Sequence, residues 1–360
     1  MARNGCGCVV RTFFKGGVRT VKLLYFGPQW PGSTSLQRLH AFAALDDVEA
    51  IGVDCCATIA KESTLWRRVR WKLRLPVDAL SENQRLIQSV AQHRPDIVLV
   101  DNSKVISINT LRAIRQLAPV RLVYYSPDDI AARHNLSLPL KWSLPHWDIV
   151  CTTKTFNIPE LAQFGVRRPF LIGKAFDPDL HRPMTSEQVG RDFEVFDAIF
   201  IGTYEPERCA SINALAESGV SVVVYGSDKG NWRSSHLRPG IELRKSVFAE
   251  DYVRAWHSGK LALCYLRKIN RDRITQRTME IAAIGRPMLA ERTDEHDQHF
   301  HHGYEYFGFR DDTELIEAAK GLLADDQRRL SLGSAGRQRC LGGGYSSLAR
   351  AAEMLREFTR

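Results

Sequence analysis

The chain alternates short, nearly unbroken apolar runs with amphipathic segments, and it does so twice. In the first half the runs are residues 21–26 (VKLLYF), 48–53 (VEAIGV), 97–100 (IVLV), 120–125 (VRLVYY) and 148–152 (DIVCT). Helical patterns lie between most of them: residues 81–93 open on the capping-type Ser81, and Ile108, Leu111, Ile114 and Leu117 form one stripe. A sheet with one wet face shows strict polar and apolar alternation, whereas continuous runs belong to parallel strands covered on both faces by the intervening helices. The first half is therefore expected to be a doubly wound α/β domain.

The rhythm breaks over residues 176–189 (FDPDLHRPMTSEQV), a polar, proline-bearing stretch without period that reads as a connection. It restarts with strands at 198–202, 220–225, 260–266 and 287–290 and helices at 206–217 and 250–257, with a further helix before the last strand. At 360 residues the chain suits two domains of roughly 150 to 200 residues each. The expected division is a loose N-terminal extension (1–20), a first domain (21–180), a linker (181–194), a second domain (195–345) and a C-terminal helix (346–360). The sequence leaves open which domain that helix packs on.

Fifty Lys and Arg against 41 Asp and Glu give a net charge of +9, which implies an acidic partner. Nucleotide phosphates, anionic lipid and nucleic acid all qualify, so the sign alone does not choose. Eight cysteines without a CxxC pair fit a reduced, cytoplasmic protein and argue against zinc. No run of about 18 apolar residues exists to span a membrane. Residues 1–20 lack a long apolar core and read as an extension, not a cleaved signal.

Function is most legible in residues 267–296, RKINRDRITQRTMEIAAIGRPMLAERTDEH, a charged loop leading into a helix, a short strand and an acidic cluster. Thr275, Arg277, Thr278 and Glu280 fall in the helix's first turns, where free N–H groups and the helix dipole favour an anion. A glutamate such as Glu280 is an acceptor for paired hydroxyls such as those of a ribose, and Arg277, three residues earlier on the same face, is placed to hold phosphates. The bland alternative is a surface carboxylate paired with Arg277 or Lys268. After the strand ending at Gly202, the turn Thr203–Tyr204–Glu205–Pro206–Glu207–Arg208 offers helix amides and a cation to a diphosphate, with an ordinary αβ turn as the competing reading.

The runs YFGPQWPGSTSLQRLHAF, YYSPDDIAARHN, TTKTFNIPELAQFG, FDPDLHRP and FIGTYEPER, with the stretch 267–296, together resemble the CgeB-like glycosyltransferases, a branch of the GT-B group. The resemblance implies two Rossmann-like domains facing across a cleft, an acceptor-binding N-terminal half and a C-terminal half that binds a nucleotide-diphosphate sugar without a catalytic metal. No cofactor is expected beyond that co-substrate. Related retaining enzymes carry two glutamates, the second heading a helix followed by Gly-x-Pro and holding the ribose. Glu280, Gly285 and Pro287 match that pattern, while the first position falls on Asp272, one methylene shorter.

The nucleotide-sugar residues expected on this basis are Gly202, Thr203, Tyr204, Arg208, Arg267, Lys268, Asp272, Arg277, Thr278, Glu280 and Glu295. Gly32, Ser33 and Thr34 would form an acceptor-side loop. In the retaining scheme the donor phosphate takes the acceptor proton; an inverting enzyme needs a base, for which Asp128, Asp129 and His134 are the candidates, with helix capping as the competing role of the Asp pair. His296, His299, His301 and His302 crowd near acids but lack rigid metal-ligand spacing, so no metal site is expected. Residues 65–76 (LWRRVRWKLRLP) interleave two tryptophans with five cations and suit either an anionic membrane surface or a basic helix covering the first domain.

The expected activity is sugar transfer to a glycan, lipid-linked or protein acceptor, in the cytoplasm or peripherally on the membrane's inner face, with no nucleic-acid partner. Two other readings stand beside it. One is a basic protein binding nucleic acid or membrane with a vestigial nucleotide pocket, which would bind polyanions with steep salt dependence. The other is a sugar-nucleotide epimerase of the same architecture.

Overall fold

The computed structural model describes residues 20–56 and 65–360. It comprises two compact units: one runs to Gly173 and takes back Ser347–Arg360, and the other is Lys174–Ser346. The extension expected over 1–20 lies, apart from Thr20, outside the described residues, as do Cys6 and Cys8.

The first unit contains strands β1 (Val21–Gly27), β2 (Val48–Asp54), β3 (Ile97–Asp101), β4 (Arg121–Ser126), β5 (Ile149–Thr152) and β6 (Pro169–Leu171). They form one all-parallel sheet in the order β2-β1-β3-β4-β5-β6. Helices α1 (Thr34–Ala43), α2 (Leu65–Lys72), α3 (Glu82–His93), α4 (Ile108–Leu117), α5 (Leu138–Ser143) and α6 (Asn157–Gln163) connect them. The apolar runs serve both faces: Leu24 and Phe26 point into one core cluster, Leu23 and Tyr25 into the other.

Ser81 does not cap α3. It sits in the left-handed region, φ 51°, and makes no side-chain cap bond. Asp78 does the capping instead, accepting from the amides of Glu82 at 2.6 Å and Asn83 at 3.1 Å.

The second unit carries α7 (Ser186–Val189), β7 (Phe196–Ile201), α8 (Pro206–Glu217), β8 (Val222–Tyr225), β9 (Glu242–Arg244), α9 (Ala249–Trp256), β10 (Gly259–Cys264), α10 (Gln276–Ile284), β11 (Met288–Glu291), α11 (Asp294–His299), β12 (Phe307–Phe309), α12 (Asp312–Leu323) and α13 (Asp326–Gly342). Its sheet, again all parallel, runs β12-β11-β10-β7-β8-β9. This is the Rossmann order, with the reversal of winding between β7 and β10; in the first unit the reversal falls between β1 and β3.

The expected linker, 181–194, is ordered within the second unit. Thr185 and Gln188 cap α7 reciprocally, and Glu194 binds Arg286 at 2.8 Å. In α13, a Cβ on Gly333 would stand 2.5 Å from the Gly285 carbonyl oxygen, so the glycine permits close backbone approach to the turn after α10. Helix α14 (Ser347–Thr359) returns to the first unit, where Phe358 stacks on Phe42 with ring centroids 6.2 Å apart and Arg168 pairs with Glu357 at 2.5 Å.

Candidate active site

In open α/β sheets ligands bind outside the carboxyl ends of the strands, where the winding reverses. In the second unit that point lies between Gly202, just past β7, and the segment following β10. Gly226 and Gly230 pack the next loop against it: a Cβ on either would approach the Gly202 carbonyl oxygen to 2.5 Å or 2.7 Å. Trp232 Nε1 donates to that same oxygen at 2.9 Å. Tyr204 supports this loop. Its amide donates to the Gly230 carbonyl at 2.7 Å, and its ring stands perpendicular to Trp232 and stacks on His236 at 4.2 Å.

Two arginines converge beside Gly202. The Arg208 guanidinium lies 5.1 Å and that of Arg277 5.8 Å from the centroid of the Phe200 ring. Arg277 Nη2 lies 3.3 Å from where a Cβ on Gly202 would be, so a side chain there would press on it. Arg208 is 5% exposed and is held by the carbonyls of Thr203 and Leu266 and by Glu205 at 3.5 Å. Burial, and then Arg277, pull its pKa below the usual guanidinium range against the opposing pull of Glu205. Burial also pulls Arg277 down, but Tyr252, Cys264 and Glu280 outweigh it and leave the pKa above the ordinary value. The Nε atoms of both arginines are buried and have no hydrogen-bond partner among the described residues.

Glu280 is 8% exposed, on the helix that carries Arg277. Its Oε2 accepts the Tyr252 hydroxyl at 2.5 Å, and its Oε1 lies 3.9 Å from His181 Nε2. It is therefore neither a solvated surface carboxylate nor sealed among hydrocarbon. Burial, and then Glu280, push the Tyr252 pKa well up, so the hydroxyl keeps its proton and donates. Sequence reasoning missed both neighbours. The signal for His181 was the FDPDLHRP phrase: the Asp177 amide donates to His181 Nδ1 at 2.9 Å and fixes the ring with Nε2 toward Glu280. Tyr252 had no local signal.

The first turn of α10 is partly capped by its own side chains. Thr275 and Thr278 form a capping box, each hydroxyl accepting the other's amide at 3.4 Å. Thr278 is itself fully buried, with its hydroxyl 3.0 Å from His296 Nε2, so its expected ligand contact is replaced by a structural one. Helix α8, in contrast, begins at Pro206 without a side-chain cap from Glu205.

The remaining expected residues disperse. Arg267 is exposed and 3.4 Å from Glu205, and Lys268 pairs with Glu291 at 2.8 Å. Thr203 is exposed, Asp272 half-buried, and Glu295 buried in the first turn of α11. Among the described residues no group of three or more His, Cys, Asp and Glu side chains is placed to hold a metal. His296 is buried, and His299 and His302 contact the Tyr345 hydroxyl and the Gly308 amide.

In the first unit, a cavity of about 370 Å³ opens where the winding reverses, beyond β1 and β3. Glu82, Asp101, Asn102, Ser103 and Lys104 supply its polar lining, and Pro28, Trp71 and Val105 are among its apolar walls. Burial pushes the Lys104 pKa down to about 8, against Asp128 and Asp101, while its Nζ donates to Asn102 at 2.7 Å. Asp128 joins this network, its Oδ2 accepting from Asn102 Nδ2 at 3.1 Å.

The other two base candidates fare differently. Asp129 is fully buried, taking the Asn157 amide at 2.9 Å and the Ala132 amide at 3.2 Å, which closes a turn and removes it as a base. His134 is exposed and lines a second hollow of about 290 Å³ with Arg74 and Arg133. The expected acceptor loop is a helix start: Gly32 has φ 85°, and Ser33 caps α1 through the Leu36 amide at 3.1 Å, with Thr34 the first helical residue.

Known proteins share this architecture. Residues 208–356 match the family model described as glycosyl transferase-like. No curated protein matches the chain. Among solved structures, sucrose-phosphate synthase from Thermosynechococcus elongatus superposes with a TM-score of 0.67 at 11% identity, covering 95% of this chain and 98% of that one. Anabaena HepE in complex with UDP-glucose gives 0.64 at 14% identity, over 94% and 99%. An alpha-glucosyltransferase in complex with UDP and a 13-mer DNA containing a HMU base gives 0.66 at 13%, over 95% and 100%. At such identities the likeness shows the fold: two Rossmann-like domains of the GT-B type.

Proposed function

We propose that the protein is a glycosyltransferase of the CgeB-like kind, moving a sugar from a nucleoside diphosphate donor to a hydroxyl acceptor. The observation that carries this reading is the pair Arg208 and Arg277, both over the Phe200 ring beside Gly202, with Arg277 one helical turn from the buried carboxylate of Glu280. Two guanidiniums match a diphosphate, and the carboxylate matches a ribose diol. The UDP held by HepE and by the alpha-glucosyltransferase favours uridine over guanosine as the base.

Developing negative charge on the leaving diphosphate falls on preorganised cations in a partly dry site, an electrostatic role that needs no metal-bound phosphate. Retention follows if the departing phosphate oxygen takes the acceptor proton; Asp128, beside Asn102 and Lys104, is the base if the enzyme inverts. The polar cavity of the first unit, with its carboxylates, amide and Trp71 wall, suits a polyhydroxylated acceptor.

Helix α2 adds a membrane-facing element to the proposal. Trp66, 64% exposed, and Val69 share one face of a helix rich in arginine and without an acid, and Leu73, just past its end, is 61% exposed. An anionic bilayer complements that charge, which points to a lipid-linked acceptor.

The test is calorimetric titration with UDP, GDP and their sugars, followed by mass spectrometry of donor and acceptor with and without chelator. Transfer that persists with chelator supports the reading. Donor converted at the sugar's C2 without an acceptor would indicate an epimerase, and salt-sensitive polyanion binding without donor affinity a binding protein. Vesicles with and without anionic lipid test α2, with Trp66→Ala and Leu73→Ala expected to release the protein.

A further inference from the structure

Strand geometry sends consecutive side chains to opposite faces. Cys55 and Cys56 escape that rule because β2 ends at Asp54 and the chain turns, bringing their Sγ atoms to 3.5 Å, in contact but unbonded. The turn is fixed from several sides. The Cys55 amide donates to the Gly27 carbonyl at 3.2 Å and the Cys56 amide to Asp54 Oδ1 at 2.9 Å. Arg85 reaches the carbonyls of Asp54 and Cys55.

The two thiols differ. Cys55 is buried, Cys56 is partly exposed, and both border the cavity beyond β1 and β3. The hydrogen bond between them raises the Cys55 pKa, with burial adding to it, and lowers that of Cys56. The other described cysteines, Cys151, Cys209, Cys264 and Cys340, are buried singly, and burial raises each of them. A partly exposed thiol in contact with a second thiol, open to a cavity, is the arrangement that exchanges with small disulfides.

We propose that Cys55 and Cys56 form a modification site for a small disulfide of the glutathione class, with Cys56 the entry thiol and Cys55 the resolving one. Cys56 attacks one sulfur of the oxidised disulfide, forming a mixed disulfide and expelling one thiolate. Cys55 then attacks Cys56 Sγ, closing the intramolecular bond and expelling the second. Two electrons pass from the cysteine pair to the small disulfide, and the two thiol protons leave on the two released thiols. The pair is reopened by excess dithiol.

The test is independent of sugar transfer. Folded protein is incubated with oxidised glutathione, alkylated, and mapped by peptide mass spectrometry. In the wild type, the peptide holding both residues should lose its two alkylation sites and two hydrogens, and dithiothreitol should restore them. In Cys55→Ser the reaction should stop at a glutathione adduct on Cys56, and in Cys56→Ser the buried Cys55 should stay a free thiol. Circular dichroism checks that both variants fold. Two alkylatable thiols persisting in the wild type, a stable adduct there as in Cys55→Ser, or equal adduct formation in the two variants would overturn the proposal.

Discussion

Replacing Glu280 with glutamine keeps its shape and removes its charge, at a side chain whose Oε2 takes the Tyr252 hydroxyl and whose Oε1 faces His181 at 3.9 Å. A ribose hydroxyl bound to the carboxylate contributes about 1.5–3 kcal/mol, the range for a hydrogen bond to a charged group. Losing it should weaken binding roughly 10- to 150-fold. Because the ribose is common to uridine and UDP, both should weaken by the same factor in competition titrations against a UDP-sugar. If Glu280 serves only to hold Tyr252 and Arg277, the loss falls instead on UDP through its phosphates, and uridine affinity is unchanged. Tyr252→Phe controls for this: it removes a donor to Glu280, costs about 1 kcal/mol of stability and leaves both affinities nearly intact. Uridine binding equally to wild type and Glu280→Gln would refute the ribose assignment.

Arg277→Met should spare uridine and weaken UDP roughly 10- to 150-fold, since only the phosphates lose a partner; equal losses for both ligands would contradict this. Thr278→Val should lower stability by about 1–3 kcal/mol in denaturant titration, because buried His296 loses its Nε2 partner and the Thr275 amide its acceptor, and leave UDP affinity unchanged; weakened UDP binding would restore Thr278 as a ligand. Burial, aided by Arg286 at His257, holds His257 and His296 at about 4, below the 6.5 or so of an exposed histidine. The folded value being the lower, the stability linked to them is full above about pH 6.5 and lost as pH falls toward 4. The double variant His257→Gln, His296→Gln should flatten the dependence of denaturant midpoint on pH between those values, and an unchanged slope would refute the assignment.

Long apolar runs made the inner strands readable: residues 97–100 lengthen only to Asp101 in β3, and 108–117 coincide with α4. The three-residue edge strands β6, β9 and β12 are too short to show a period. Helix α13 hides its helical pattern because its buried positions include Gly333, Gly336 and Arg329, chosen for close approach and for an ion pair with Glu194. Glu280 and Arg277 stood out in the sequence because they sit one turn apart on a helix that ends in a Gly-x-Pro. Thr278 misled because a capping threonine and a phosphate-binding threonine occupy the same helix position, and only the buried His296 separates them. Asp129 misled likewise: its partner Asn157 lies 28 residues away in sequence.

Topology, more than any local motif, makes this site. Arg208 and Arg277 stand on helices that follow β7 and β10, neighbouring strands from which the chain winds in opposite directions, so the two side chains meet over the ring of Phe200. Burying like charges together is costly unless partners compensate. The nearby carboxylates are already engaged: Glu205 with Arg208 and Arg267, Glu291 with Lys268 and the Leu266 amide, Glu280 with Tyr252. Those carboxylates leave both buried Nε groups without a hydrogen-bond partner among the described residues. On the proposed reading the two guanidiniums beside Gly202 form a seat that a dianionic ligand completes, and such a ligand should stabilise the second unit by mass action when it binds.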